Sequence, residues 1–196
     1  MDYSLKTPRR IFFKQSATGT LALGAGMTAM VSLLQSCNDH AEAAPLSGLS
    51  QAANEKEFRQ GVIGPAELSL VTSQIAASKA TNRNAKEFAG FELEEAVAVT
   101  TVLKDLATPV PPMNAKAQAT LDKIKTTPAG LAFDKIYIQA QLENHEFLRD
   151  LAIDYLKNAA GKTDTAESHG RHLATLSLAA FKEHVAITKR ILSELG

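Results

Sequence analysis

The chain has little of several things that would narrow its function. Tryptophan is absent, aromatic residues make up 6% of the 196 residues, and a single cysteine, Cys37, excludes an internal disulfide. The 21 basic and 21 acidic residues leave no formal net charge, whereas nucleic-acid-binding proteins usually carry a basic surplus on one face. The charge balance therefore predicts that no nucleic acid is a partner, and the scarcity of aromatics favours closely packed helices.

The N-terminal 36 residues differ in charge from the rest of the chain. They hold four of the 21 basic residues and one of the 21 acidic residues, which leaves 17 basic and 20 acidic residues in 37–196. A basic region up to Lys14 precedes an uncharged stretch that Gly, Ser and Thr dilute too much for a permanent membrane span. This pattern predicts a signal peptide over residues 1–36.

The stretch PRRIFFK, from Pro8 to Lys14, resembles the twin-arginine export signal. The resemblance rests on Arg9, Arg10, Phe12 and Lys14. A proline precedes the arginine pair where such signals usually have Ser or Thr, so a general secretory signal is the alternative. The resemblance implies recognition by the twin-arginine export machinery, which carries folded proteins.

The stretch LLQSC, from Leu33 to Cys37, resembles a lipobox, although Gln35 is atypical. Cys37 stands where a lipobox has its lipid acceptor, so we expect it to carry acyl chains that bind the membrane. The alternative is a free thiol. The small, polar residues that follow predict a tether over 37–53, and the expected location is the periplasm or the outer membrane, with a lipid anchor.

From Asn54 onward, apolar residues recur with the helical period. The pattern predicts long helices near 55–79, 82–106, 131–158 and 166–195, with a short helix over 115–125. Pro65 predicts a bend or restart in the first helix because proline lacks a backbone donor. Four long helices predict an all-α four-helix bundle over 54–196. The expected buried stripes of the second and last helices comprise Phe88, Phe91, Val99, Val102 and Leu106, and Leu173, Leu176, Ala180, Ile187 and Ile191.

The segment FDKIYIQAQLENHEFLRDLA, from Phe133 to Ala152, resembles the bacterial domain-of-unknown-function family 4142. The stretch LAAFKEHVAITKRIL, from Leu178 to Leu192, extends the likeness. Members of the family are commonly called outer-membrane proteins and are grouped with ferritin-like bundles. The resemblance thus implies a ferritin-like bundle in the bacterial envelope, and it implies no established activity.

Three ionisable residues fall on the predicted apolar stripes of three helices. Glu95, His145 and His184 offer a carboxylate and two imidazoles, the donor set of a divalent transition metal such as Zn²⁺ or Fe²⁺. A hydrogen-bonded core network, completed by Tyr137 or Gln141, is the alternative. Asp134 is expected to be a helix-start or core-polar residue.

Ferritin-like di-iron sites use Glu-x-x-His pairs on two helices. Leu142 and Phe181 stand three residues before the two histidines, so neither helix has such a pair. His169 and His172 are expected at the solvated surface. No nucleophile motif or phosphate-binding glycine loop is present, which favours a protein that is not an enzyme.

The sequence favours a lipid-anchored envelope bundle that acts as a binding or interaction module for an envelope partner. A metal-binding protein is the main alternative, and a hydrolase or oxidase is the third.

Overall fold

A computed structural model describes residues 51–196, so the predicted signal peptide, Cys37 and most of the predicted tether lie outside the described residues. The described part is all-α. Its five helices are α1 (Glu55–Lys79), α2 (Arg83–Asp105), α3 (Ala115–Thr126), α4 (Leu131–Asn158) and α5 (Thr165–Leu195). Among these helices, none is long and apolar enough to cross a membrane.

The predicted helix boundaries follow from polar caps. An Asx side chain accepts a hydrogen bond from the backbone N–H three residues ahead at the start of four helices, which satisfies a donor that has no partner inside the helix. The capping residues are Asn54, Asn82, Asn114 and Asp164. Helix α4 begins after Gly130 instead, whose φ of 132° lies in a region that favours glycine.

Helix α1 continues through Pro65 without a break. The predicted restart at this proline is therefore wrong. The amide of Asn144 in α4 donates to the Pro65 carbonyl oxygen at 3.1 Å, so this part of α1 is held against α4 by a side-chain hydrogen bond.

Contacts at the two ends of the bundle establish the direction of its helices. The backbone N–H of Glu55, at the start of α1, donates to Glu167 at the start of α5. At the other end, Asp134 of α4 accepts from the backbone N–H groups of Thr81 and Asn82. Helices α1 and α5 therefore run one way and α2 and α4 the other.

One long crossover, residues 106–130, joins the α1–α2 hairpin to the α4–α5 hairpin and contains α3. The ammonium group of Lys79 donates to the carbonyl oxygens of Ile124 and Lys125 at 3.2 and 2.9 Å. These bonds attach the C-terminal end of α3 to the end of α1. Close backbone approach occurs between α1 and α2, α4 and α5, and α1 and α4, but α2 and α5 stand further apart.

A layer of polar side chains divides the core into two apolar halves. One half contains Phe58, Leu148 and Tyr155, and the other contains Phe88 and Phe133. The layer between them is buried and draws on all four long helices; its members are Ser69, Thr72, Ser73, Glu92, Gln141, His145 and His184. The bundle therefore has a polar centre, which is where its functional groups must be sought.

The predicted stripe of α2 is wrong in register. Phe91, Val102 and Leu106 are 63%, 44% and 47% exposed. The buried face consists mainly of small residues with Phe88 and Glu92 among them: Ala85, Phe88, Ala89, Glu92, Ala96, Thr100 and Leu103. Alanine residues take up much of this buried face while Phe91 is exposed, so large apolar residues alone do not identify the buried side of α2.

Helix α5 shows a similar departure from the predicted stripe. Leu176 is 74% exposed, whereas Ala174 and Phe181 are buried. Ile191 is buried as predicted. The large residues buried along α4 include Phe133, Tyr137, Leu148, Leu151 and Tyr155. The folded core also includes Ala52, whose carbonyl oxygen accepts a hydrogen bond from Asn158 at 3.1 Å.

Candidate metal centre

Three helices bring one carboxylate and two imidazoles together in the polar layer. Glu92 of α2, His145 of α4 and His184 of α5 are 2%, 1% and 8% exposed. The Glu92 Oε2 atom lies 3.2 Å from His145 Nε2 and 2.9 Å from His184 Nδ1. The two nitrogens lie 3.1 Å from each other. Three potential metal donors therefore form a nearly equilateral triangle.

The backbone of α4 determines how the His145 ring is oriented. Its Nδ1 atom lies 2.8 Å from the carbonyl oxygen of Gln141, one turn earlier in the helix. A carbonyl oxygen can only accept, so Nδ1 carries the proton and Nε2 is the nitrogen that faces Glu92. Metal-binding histidines are commonly fixed in this way, through a hydrogen bond from the ring nitrogen that does not bind the ion.

Glu95 faces the nitrogen of the His184 ring that points away from Glu92. Its Oε2 atom lies 3.4 Å from His184 Nε2, and its side chain is 26% exposed. A carboxylate there favours a proton on Nε2, which leaves Nδ1 directed at Glu92. Glu95 therefore belongs to the rim of the site and Glu92 to its centre.

The charges of the site are interdependent. Burial raises the pKa of Glu92, but the imidazoles of His145 and His184 outweigh burial and bring that pKa from 4.5 to about 2. Burial lowers the pKa of His184, yet the carboxylates of Glu92 and Glu95 raise it above 6.5. Burial, with the charge of Glu92, raises the pKa of Glu95. The centre thus holds its carboxylate ionised in the interior.

Aromatic rings enclose the imidazoles on either side along the bundle axis. Phe88 packs edge-on against both rings, with centroid distances of 5.2 Å to His184 and 6.4 Å to His145. Phe181 lies 6.1 Å from His145. This apolar surround strengthens any electrostatic interaction within the triangle.

The donor distances match what a shared metal requires. Bonds of about 2.0–2.1 Å place two donors of one ion about 2.9 Å apart in octahedral and about 3.3 Å apart in tetrahedral geometry. The three separations in the triangle, 2.9, 3.1 and 3.2 Å, lie within that range. An ion could therefore enter with side-chain shifts of only a few tenths of an ångström.

The family model described as "Domain of unknown function (DUF4142)" matches residues 41–191, most of the chain. The chain belongs to this family. No curated protein and no solved structure was found to match it. A function for this DUF4142 domain must therefore be inferred from the geometry of its three potential metal donors.

The apolar spacing predicts His145 and His184 in the candidate site of the DUF4142 domain, but it predicts Glu95 as the carboxylate where the structure places Glu92. The error follows from the register of α2, because taking Phe91 and Val99 as buried places Glu95 between them. A better signal was available: Glu92 lies four residues from Phe88 and four from Ala96, both of which are buried.

Other polar residues of the DUF4142 domain have structural partners of their own. Tyr137 contacts the hydroxyl of Ser73 at 2.9 Å, and Gln141 bridges Ser69 and Thr72 at 2.9 Å each. Their side chains form a network between α1 and α4 beside the triangle. Asp134 is buried and caps the α1–α2 connection, while His169 and His172 are exposed.

Proposed function

We propose that this protein binds one divalent transition-metal ion through Glu92, His145 and His184 in the bacterial envelope. The observation that carries the proposal is the state of Glu92 Oε2. This oxygen is buried, and within residues 51–196 it accepts no hydrogen bond of normal geometry, although two imidazole nitrogens lie within 3.2 Å. A buried carboxylate oxygen without a hydrogen bond is costly unless a cation satisfies it.

Protons alone do not satisfy the triangle. His145 has its Nδ1 proton bonded to Gln141, so one further proton on either imidazole nitrogen of the triangle still leaves the other nitrogen with its lone pair against the Glu92 oxygen. Two further protons would place two imidazolium groups 3.1 Å apart in the interior. A metal ion accepts all three lone pairs at once, which is why we prefer it to the hydrogen-bonded network.

The donor set favours Zn²⁺ or Fe²⁺. Two imidazoles and a carboxylate form the protein ligands of many catalytic zinc sites and of mononuclear ferrous sites, both of which leave coordination positions open. Helix α1 contributes hydroxyl groups to the polar layer and no carboxylate. The single long crossover is a connection that ferritin-like bundles share, yet the donors support one metal ion instead of two.

Metal analysis of the full chain, purified in detergent without a histidine tag, tests the proposal. After reconstitution with Zn²⁺ or anaerobic Fe²⁺ and removal of free metal, we expect one equivalent per chain. Glu92→Gln and His184→Asn should reduce the content to background. The double variant His169→Asn, His172→Asn is the matched control, because both histidines are exposed, and it should retain the full equivalent. A metal-free wild type, or content that the Glu92 and His184 variants leave unchanged, would overturn the proposal.

We further propose that the protein reaches the envelope through the twin-arginine route and is anchored there by lipid on Cys37. The support is the sequence alone: Arg9, Arg10, Phe12 and Lys14 in the leader and one cysteine at the end of the uncharged stretch. Export in the folded state suits a protein whose metal donors lie in the interior of its bundle.

Cell fractionation and lipid labelling test the export route and the lipid anchor. Replacing Arg9 and Arg10 together by lysine should retain the protein in the cytoplasm, whereas Lys6→Gln should not. Cys37→Ser should abolish labelling by radioactive palmitate and release the protein from the membrane. Normal export of the double lysine variant would point to the general secretory route. A wild type that palmitate does not label would show that Cys37 is a free thiol.

A second candidate function is the interaction module that the sequence favours. Its support is a groove of about 480 Å³ between α1, α3 and α4, lined by Pro65, Leu68 and Phe147. A photo-crosslinking residue at Glu143, which lines the groove, should capture an envelope protein. The same residue at exposed Ile153, outside the groove, is the control; equal products from both positions would count against this function.

A further inference from the structure

A small cavity adjoins the metal donors. It is lined by Glu92, Glu95 and His145 and by residues from all four long helices: Val62, Ala66, Ser69, Val99, Leu148 and Phe181. Its volume is about 10 Å³. A space of about 10–15 Å³ on this measure holds one water molecule, so the cavity adjoining the donors is the size of a single small molecule.

The cavity lies on the side of the triangle away from Phe88. Phe88 precedes Glu92 by one turn of α2, while Ala96 and Val99, which line the cavity, follow it. On the antiparallel helix α5, Phe181 precedes His184 and lines the same cavity. Along the bundle axis, the triangle therefore has Phe88 on one side and the open space beside Phe181 on the other.

The wall of the cavity limits the charge of an occupant. Apart from the metal donors, its polar groups are Glu95 and Ser69, and the hydroxyl proton of Ser69 is used in a 2.9 Å bond to Gln141. Ser69 can accept a hydrogen bond from an occupant but cannot donate one without losing Gln141. A carboxylate and a hydroxyl acceptor in an apolar wall disfavour anions.

We propose that the ion held by Glu92, His145 and His184 keeps an open coordination position toward this cavity, which admits a neutral ligand of one or two non-hydrogen atoms and excludes organic substrates. The inference rests on the proposed metal binding. It assigns the ligand class as water and neutral diatomic gases, since three protein donors leave positions free on the ion and the cavity has room for nothing larger.

Nitric oxide is the probe for this position, because it is neutral, has two atoms and gives ferrous iron a characteristic electron paramagnetic resonance signal. The full chain is loaded with Fe²⁺ under argon, and its iron content is measured before and after each addition. We expect nitric oxide to produce the signal in the wild type. Imidazole, with five ring atoms, should not suppress that signal, because it cannot enter the cavity.

Two leucines in α4 provide a matched pair of variants. Leu148 lines the cavity and Leu151 does not, although both are buried and both sit in the same core cluster. Leu148→Ala should let imidazole suppress the nitric oxide signal at least tenfold more effectively, and Leu151→Ala should behave as the wild type. Phe181→Leu provides a second enlargement should Leu148→Ala fail to fold.

The outcomes separate the two proposals. A wild type that retains no iron overturns the ligand proposal, and one that retains neither iron nor zinc overturns the metal site itself. Bound iron that gives no nitric oxide signal shows a saturated ion and overturns the open position alone. Suppression by imidazole in the wild type overturns the size limit.

Discussion

The Nδ1 atom of His145 lies 2.8 Å from the carbonyl oxygen of Gln141, and this contact decides which nitrogen of the ring faces Glu92. In a helix this carbonyl would otherwise be occupied only by the backbone N–H of residue 145, so it has a lone pair to spare. The ring is thereby fixed by main-chain geometry, independent of any side-chain partner that mutation could remove.

The first prediction concerns the protonation of the two buried rings. Long-range ¹H–¹⁵N correlation spectra should show the Nδ1 proton of His145 retained when Zn²⁺ is added, with the resonance of its Nε2 displaced. For His184 the assignment should be reversed, with Nδ1 displaced, because Glu95 faces Nε2. The resonances of exposed His169 and His172 should not move; a displaced Nδ1 in His145 would contradict the geometry.

The second prediction concerns Glu95, which orients His184 and touches no metal. Glu95→Gln should keep one equivalent of Zn²⁺ but weaken its binding about 10–100-fold, the usual cost of losing a partner of a metal-bound histidine. Competition with a chelator of known affinity measures this. Glu94→Gln removes a charge one residue away on the exposed face and is the control. Complete loss of zinc from Glu95→Gln would make Glu95 a ligand.

The third prediction is the pH dependence of the metal-free protein. Glu92 has its pKa lowered to about 2, so its stabilising contribution is present above pH 4.5 and is lost as the pH falls toward 2. His184 has its pKa raised, so its contribution is present below pH 6.5 and is lost as the pH rises through the folded value. The free energy of unfolding should therefore peak between pH 4.5 and 6.5.

Urea unfolding at a series of pH values measures this profile. A lowering of the Glu92 pKa from 4.5 to about 2 corresponds to about 3 kcal/mol of stability lost on the acid side. Glu92→Gln should flatten both sides of the peak. With Zn²⁺ bound, stability should instead rise with pH above 6.5, because the ion needs His184 without its Nδ1 proton. An unchanged profile in Glu92→Gln would refute the assignment.

The fourth prediction compares two glycines in helices. A Cβ atom at Gly170 would overlap the Tyr155 hydroxyl and lie 2.5 Å from Cγ of Glu55, whereas a Cβ at Gly90 meets nothing within 4 Å. Gly170→Ala should cost about 1–3 kcal/mol from overpacking. Gly90→Ala should stabilise by about 0.5–1 kcal/mol, since alanine is the better helix former. Thermal unfolding distinguishes the two, and a neutral Gly170→Ala would show that α5 approaches Tyr155 less closely.

The sequence predicts the helices well because their ends are encoded locally. Each of Asn54, Asn82 and Asp164 caps a helix through its own side chain, and helix α4 has large apolar residues on its buried face. The buried face of α2 cannot be predicted in this way. Its buried residues are mostly small, and its large residue Phe91 faces solvent, so hydrophobicity alone selects the wrong acid.

The carboxylate of the site is also difficult to predict from the sequence, for a different reason. His145 and His184 are identified by their positions within helices α4 and α5, which are correct. The geometry that makes Glu92 their partner depends on how α2 is rotated about its axis. That rotation is fixed by packing between helices, and the spacing of the large apolar residues alone does not determine it.

The wide separation of α2 and α5 has a consequence for when the ion would enter. Glu92 stands on the first hairpin and both histidines on the last, so the donors meet only when the two hairpins have docked. An ion bound there would link α2 to α5, on the side of the bundle where the two backbones do not approach closely. Because the cavity beside it is only about 10 Å³ in volume, a captured ion would leave faster when the hairpins part than when they stay docked. The metal this protein carries would then be set by the compartment in which it folds, and not by the one in which it works.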